Sequence, residues 1–493
     1  MKKFFAILLT ICMTVGALCI TAVPVFAADA PAAGVVLRVS AIKTNGDNKV
    51  IKDYTSFEEG WNDAIAFALP KNLKANNYDR IVVDFYADWK ANDAGEFGDD
   101  SGRGFDNNTI EIPDDVKITV NLNEHTINRA LAECIADGEV IYIDEDADVI
   151  INNGTITGGW SNNGAGGLHV HDADLTLNNV NVMKNRISND DGGGIVLEDN
   201  ANLTMNGGCI SDNSASSNYV TTSYGVGLFA DDSKAVLNKV TISNNQSTGS
   251  YECKGAAIYA ENSEVTLDEC VVKDNGVANK AKDIVGAYSV VHVDRNSLFT
   301  ANNTTFSGNG THEEIFKFQI NAGEGGGGTH TPDAMIDLDR GTCSLNNCTI
   351  TQNRSMILID CTDGAVSVTD TTFTNNQSSV WDGSCKIPSS FTRCTFKGNT
   401  PDKYTFDFAG DSNLTFVDCQ MNESTYDNKN HARFEAATSS AAASIFGEGS
   451  VAMIVSLLAL VASVASICLT VAYNKKKEKA APVAVNNAED KEA

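Results

Sequence analysis

Two kinds of side chain recur in this chain where they could act on a ligand: carboxylates and aromatic rings. Adjacent acids stand at Asp114-Asp115, Asp190-Asp191 and Asp231-Asp232. Cleaving a glycosidic bond takes a proton donor and a second carboxylate set apart on one face, so an adjacent pair alone is a weak signal. Asp190-Asp191, which runs into Gly192, Gly193 and Gly194, is the best of the three, and turn chemistry accounts for such pairs equally well. A longer pattern comes from short apolar runs such as residues 194–197 (GIVL) and 257–260 (AIYA), read by alternation. With Leu168 and Val170 facing inward, the outward positions of successive runs are Tyr142, His169, Val196, Phe229, Tyr259 and His292. That partly aromatic stripe suits sugar rings or a protein partner. One outward step further come Asp144, His171, Glu198, Asp231, Glu261, Asp294, Asp339 and Asp360. Stacked acids repel one another unless cations share them, calcium first among them. The competing explanation is that strand ends favour Asp and Asn anyway. Residues 144–148 (DEDAD) lack the Gly and closing Glu of an EF-hand loop.

The element that must position these residues is a repeat. Residues 343–353 (CSLNNCTITQN) are rewritten at 265–275 (VTLDECVVKDN), 366–376 (VSVTDTTFTNN) and 235–245 (AVLNKVTISNN). One apolar position can be followed through Ile127, Ile156, Val182, Ile210, Ile242, Val272, Phe306, Ile350, Phe373, Phe396 and Met421. Successive units lie 23 to 34 residues apart, apart from one gap of 44 that holds a glycine-rich loop at 311–332. Period-two alternation with no helical run between units predicts an all-β fold, a right-handed parallel β-helix solenoid of about eleven coils over residues 116–424. A closing Asn recurs at Asn185, Asn213, Asn245, Asn275, Asn309, Asn353, Asn376 and Asn399, read as a structural ladder whose residues tolerate left-handed corners. The same columns place Cys270, Cys348, Cys394 and Cys419 inside as free thiols, and His125 in an inward column near the first coil.

Residues 28–115 lack the repeat. A helix from Ser56, spaced with Glu59 as a capping box, and a short strand at 81–85 predict an N-terminal α/β cap on an otherwise open solenoid end. Residues 1–27 read as a signal peptide: Lys2 and Lys3, an apolar run, then Val25, Phe26 and Ala27 before a cleavage site. Residues 425–449 form an Ala/Ser-rich stalk. An uncharged run at 450–473 is long enough for a single transmembrane helix, and Lys475, Lys476, Lys477 and Lys479 assign the tail 474–493 to the cytoplasm. The expected location is therefore the cell membrane, single-pass, with the N-terminal part outside. The net charge of −28 opposes nucleic acid as a partner. Ten of the thirteen Cys lie outside the leader and the span, with no CxxC spacing, so nothing supports a zinc site.

Phe306 to Asn309 (FSGN), Phe373 to Asn376 (FTNN) and Phe396 to Asn399 (FKGN), with the openings Gly192 to Ile195 (GGGI) and Gly255 to Ile258 (GAAI), carry a resemblance. They resemble the FxxN and GGA[ILV] repeats of chlamydial polymorphic membrane proteins and, more broadly, pectate-lyase-like right-handed β-helices. The resemblance implies surface display and, in several members, adhesion; the missing outer-membrane barrel and the single C-terminal span suit a one-membrane bacterial envelope. The broader fold includes polysaccharide enzymes, but the NTD, GHG and RIK strings of polygalacturonases are absent. No catalytic residue is assigned, and a non-enzymatic adhesin or binding protein for glycan or protein ligands is the leading expectation. A lyase or hydrolase acting on acidic polysaccharide is the alternative, and a structural envelope protein or antigen without a ligand the second.

Overall fold

The computed structural model describes residues 31–91, 105–106, 109–216, 223–247, 253–277, 289–311, 334–355, 357–383, 387–400, 406–407 and 414–422. The leader, nearly all of the 311–332 loop, the stalk, the apolar run at 450–473 and the tail lie outside them. Among the described residues no helix is long and apolar enough to cross a membrane.

Strand β1 (Leu37–Lys43) pairs antiparallel with β2 (Asn48–Tyr54) on one side and β3 (Tyr78–Phe85) on the other. The helix Phe57–Ala68 starts where Ser56 Oγ accepts the Glu59 N–H at 3.3 Å, satisfying one of the donors a helix start leaves open. Pro70 then opens a second helix, Pro70–Asn76, because its fixed φ and missing N–H are tolerated only in a first turn. Strand β3 lies parallel to Lys117–Asn121, with Ile81 beside Ile118 and Val83 beside Val120. Trp61 and Ile65 of the first helix belong to the same continuous core as the strands that follow.

From Lys117 onward the strands stack parallel, coil on coil. The apolar column from Ile127 to Met421 is in register at every step. Its members from Ile127 to Phe396 have no solvent exposure, each worth roughly 1.5–3 kcal/mol in removed apolar surface. A second sheet of twelve strands carries the short runs, and a six-stranded sheet lines the corner after the closing Asn.

The eight asparagines are buried and bonded in series. Asn213 Nδ2 donates to Asn245 Oδ1 at 2.9 Å, Asn245 to Asn275 at 3.0 Å and Asn376 to Asn399 at 2.8 Å. Each amide also donates to the carbonyl of an apolar-column residue, as Asn275 does to Ile242 at 2.9 Å. The left-handed position falls one residue earlier than the alternation suggested, at Asp212 (φ 55°), Asn244 (φ 55°) and Asp274 (φ 56°). The asparagines are therefore held for their side-chain bonds, while the preceding residue turns the backbone. A second ladder, not foreseen from the repeat, runs Asn238 to Asn206, Asn178, Asn152 and Asn121 at 2.8–2.9 Å and ends on Asp84 of β3. His125 is not a core residue: it sits half-buried at a turn, its Nδ1 3.2 Å from Asp88 Oδ1, because Leu122 takes the inward place. The nine described cysteines are free thiols.

Candidate functional site

The outward stripe exists as a column. Tyr142, His169, Val196, Phe229, Tyr259 and His292 are successive register partners on the twelve-stranded sheet. Most of it is covered, however. Phe229 is 8% exposed, Tyr259 3% and His292 2%, and their rings stack at 5.3 and 5.0 Å. The cover is the chain entering each short strand: Tyr224 stacks on Tyr259 at 4.7 Å, and Ala165 packs in the same cluster. Gly225 enters at φ 56° with its backbone pressed on Phe229, where a Cβ would have no room. An outward phase in a strand is thus not an exposed one, and the flat aromatic face is absent at Phe229, Tyr259 and His292.

The acid column is likewise in register from Asp144 through His171, Glu198, Asp231, Glu261 and Asp294 to Asp339, judged by the pairs adjoining each step. Asp360 departs from it: it pairs with Asp337 and Asp382, in line with His292, because Ile359 and Cys361 are its inward neighbours. Much of the column is already engaged by basic side chains of the protein. Asp144 lies 3.4 Å from His171, Glu198 2.9 Å from His169, Glu261 3.1 Å from Arg295 and Asp339 2.9 Å from Arg340. Tyr259 Oη lies 3.3 Å from both Glu261 and Asp294. Asp231, crowded by Glu261 and half-buried, keeps a proton more readily than a free carboxylate, burial being the larger cause. Among the described residues no three His, Cys, Asp or Glu side chains converge as a metal site.

What remains open is the N-terminal end of the stripe. Tyr142 and His169, edge to face with centroids 5.0 Å apart, stand in a cleft of about 480 Å³ together with Val196. Its acids are Glu111, Asp137, Glu139, Asp190, Asp191 and Glu198, and among the described residues neither lysine nor arginine lines it. Three coils contribute. Glu111 lies on the strand Thr109–Ile112, Asp137 and Glu139 on the excursion before Ile141, and Asp190 and Asp191 on the turn before Ile195.

The environments of these acids differ. Burial pushes Glu139 up to about 7 and Asp191, which also feels Asp190, up to about 7. Asp190 is raised more modestly by burial, offset by the N–H groups of Asp191 and Gly164, each 3.0 Å from its oxygens. Glu198 goes the other way: its hydrogen bond with His169 holds it below the usual carboxylate range. Asp191 Oδ1 accepts the Tyr224 N–H at 2.8 Å, and Asp137 Oδ1 accepts from Asn163 Nδ2 at 2.9 Å. Glu139 is 5% exposed and its Oε2 has no hydrogen-bond partner. The cleft therefore combines a ring wall, an ionised carboxylate and two acids protonated near neutrality, an arrangement able to grip hydroxyl-rich ligands and to exchange protons with them.

Of these residues the sequence pattern singled out Tyr142, His169, Glu198 and the pair Asp190-Asp191. Glu111 is the register partner of Tyr142 and heads the same column, and the alternation in residues 109–112 (TIEI) was its signal. Asp137 and Glu139 fall outside any column or motif; the one available signal there was an acid, Glu139, set against the buried run Val140, Ile141.

Parallel sheets stacked in register, with one short and one long run per coil around a narrow apolar core, define a parallel β-helix protein. Residues 114–311 match the family model described as right handed beta helix region, which fixes the class for that stretch and covers the cleft's side chains from Asp137 to Glu198. The match is to the broad β-helix class; the narrower likeness to the chlamydial repeats rests on the short motifs alone. No curated protein and no solved structure matches the chain.

Proposed function

We propose that this chain is a bacterial cell-surface glycan-binding protein, anchored through residues 450–473, whose ligand site is the acidic cleft around Tyr142 and His169. The observation that carries the reading is a concave site in which two rings and Val196 adjoin several carboxylates. Ring faces take the C–H side of a sugar, and carboxylates accept its hydroxyls. The leader-like residues 1–27 and the apolar run with its following lysines support export and anchoring. The test is a glycan array probed with the full-length chain and with Tyr142→Ala; saccharides retained by the parent and lost by the variant are expected. Equal retention by both proteins, or a blank array, counts against it.

One observation favours a second reading, glycoside hydrolysis. Glu139 and Asp191 hold protons near neutrality beside an ionised Glu198, the split that general acid–base work requires. Release of reducing ends from array-positive saccharides is its measure, and none over days retires it. Cleavage of acidic polysaccharide is the poorer fit, since six acids, with no lysine or arginine among the described lining residues, repel a polyanion.

A further inference from the structure

We propose that the saccharide taken by the acidic cleft carries a free, positively charged amino group, which places it among amino sugars whose nitrogen is not acylated. The inference rests on the glycan-binding reading above and narrows it to one ligand class. It starts from what the cleft's acids already hold. Glu198 is engaged by His169, Asp190 by two backbone N–H groups, Asp191 by the Tyr224 N–H and Asp137 by Asn163. Glu139 stands apart: it lines the cleft at 5% exposure, and its Oε2 meets no donor. A buried acceptor left unmet costs about 1–3 kcal/mol, which a donor brought by the ligand removes once the Glu139 carboxyl, closed to solvent at Oε2, turns toward the cleft.

The donor's charge follows from the surroundings. Among the described residues His169 is the only basic side chain lining the cleft, and it is bonded to Glu198. Arg129 is 3% exposed; its attraction on Glu139 ranks below the opposing effect of burial, and its own Nε and Nη2 lack partners. The charged groups acting on Glu139 are thus His169, Asp137 and Arg129, and the carboxylates around the opening outnumber the cations. An ammonium, with three N–H donors on a compact charge, matches an unfilled carboxylate oxygen in an acidic site. A divalent cation fits less well, because no three potential ligands among the described residues converge. The rings of Tyr142 and His169 favour a pyranose over an extended polyamine, since a ring face can lie on them.

The experiment is a calorimetric titration of the full-length chain with the glucosamine tetramer, its fully N-acetylated form, a galacturonate tetramer and tetralysine, at low and moderate salt. The glucosamine tetramer is expected to bind at least about tenfold tighter than the acetylated form, to weaken with salt, and to lose about tenfold in affinity in Glu139→Gln. Asp191→Asn, whose side chain keeps the Tyr224 contact, serves if Glu139→Gln does not fold, and the same loss is expected. Equal binding of the acetylated tetramer overturns the charge inference and leaves glycan binding standing, whereas tetralysine binding more tightly than the saccharide keeps the preference for charge and overturns the amino sugar as its bearer. Silence from every saccharide overturns both.

Discussion

Replacing Glu139 by Gln is expected to stabilise the protein, and increasingly so as the pH rises. Burial raises the folded-state pKa of Glu139 from the ordinary 4.5 to about 7. The unfolded chain loses this proton first, so between those values the folded state binds more protons and stability falls with pH. The loss is complete once the pH passes the folded value, and at about 1.4 kcal/mol per pH unit it amounts to roughly 3 kcal/mol. The attraction of buried Arg129 is already contained in that balance, because it is one of the forces that set the folded value. Glutamine keeps the shape and has no proton to lose. Because the sequence pI is about 4.5, solubility favours working well above it. Between about pH 5.5 and pH 8.5 the advantage of Glu139→Gln over the parent should grow by about 2 kcal/mol. Urea unfolding followed by circular dichroism at those two pH values measures it, provided the denaturant slope is the same for both proteins. An advantage that stays constant with pH, or a variant whose stability falls with pH as the parent's does, would refute the assignment of a buried proton to Glu139.

Three further outcomes follow from the packing. Asn275→Ala removes four hydrogen bonds, two donated by its amide and two accepted by its Oδ1, and should cost about 4 kcal/mol by urea unfolding. Exposed Asn202→Ala, in contrast, should change little, and equal losses would mean the ladder is not what holds the corner. Phe229→Ala should destabilise by about 3 kcal/mol, as expected of a buried ring in a stack; a stability unchanged from the parent would restore it to the exposed face the alternation suggested. Cys270, Cys343, Cys348 and Cys361 are buried, and burial pushes the Cys343 thiol well above its usual range, so maleimide should label them only after denaturation. Rapid labelling of the native chain would contradict their placement in the core.

The repeat was readable because its physics is local. Period-two alternation and a fixed spacing put Ile127 through Met421 in one column, and parallel stacking leaves a residue in such a column one place to go. The register of Asp360 was misread because Thr362, which carries no charge, takes the place beside Asp339, and Asp360, the acid of that strand, lies two residues earlier beside Asp337. The burial of Phe229 and Tyr259 was not readable from alternation at all. Period two separates inside from outside, and whether the outside is covered depends on Tyr224 and the glycine turns of neighbouring coils. The cleft was half legible for the same reason. Tyr142, His169 and Glu198 lie in columns within the repeat and Glu111 extends the Tyr142 column from the strand before it, whereas Asp137 and Glu139 come from a stretch without repeat, brought in by the stacking of three coils.

The central claim is that ligand enters the cleft beside Tyr142 and His169. A crystal structure of the full-length chain with the tightest array-positive saccharide tests it most directly. A sugar ring against Tyr142 and a ligand donor within hydrogen-bond distance of the Glu139 carboxyl are expected. Saccharide bound elsewhere along the solenoid, with the cleft holding only water, would contradict it.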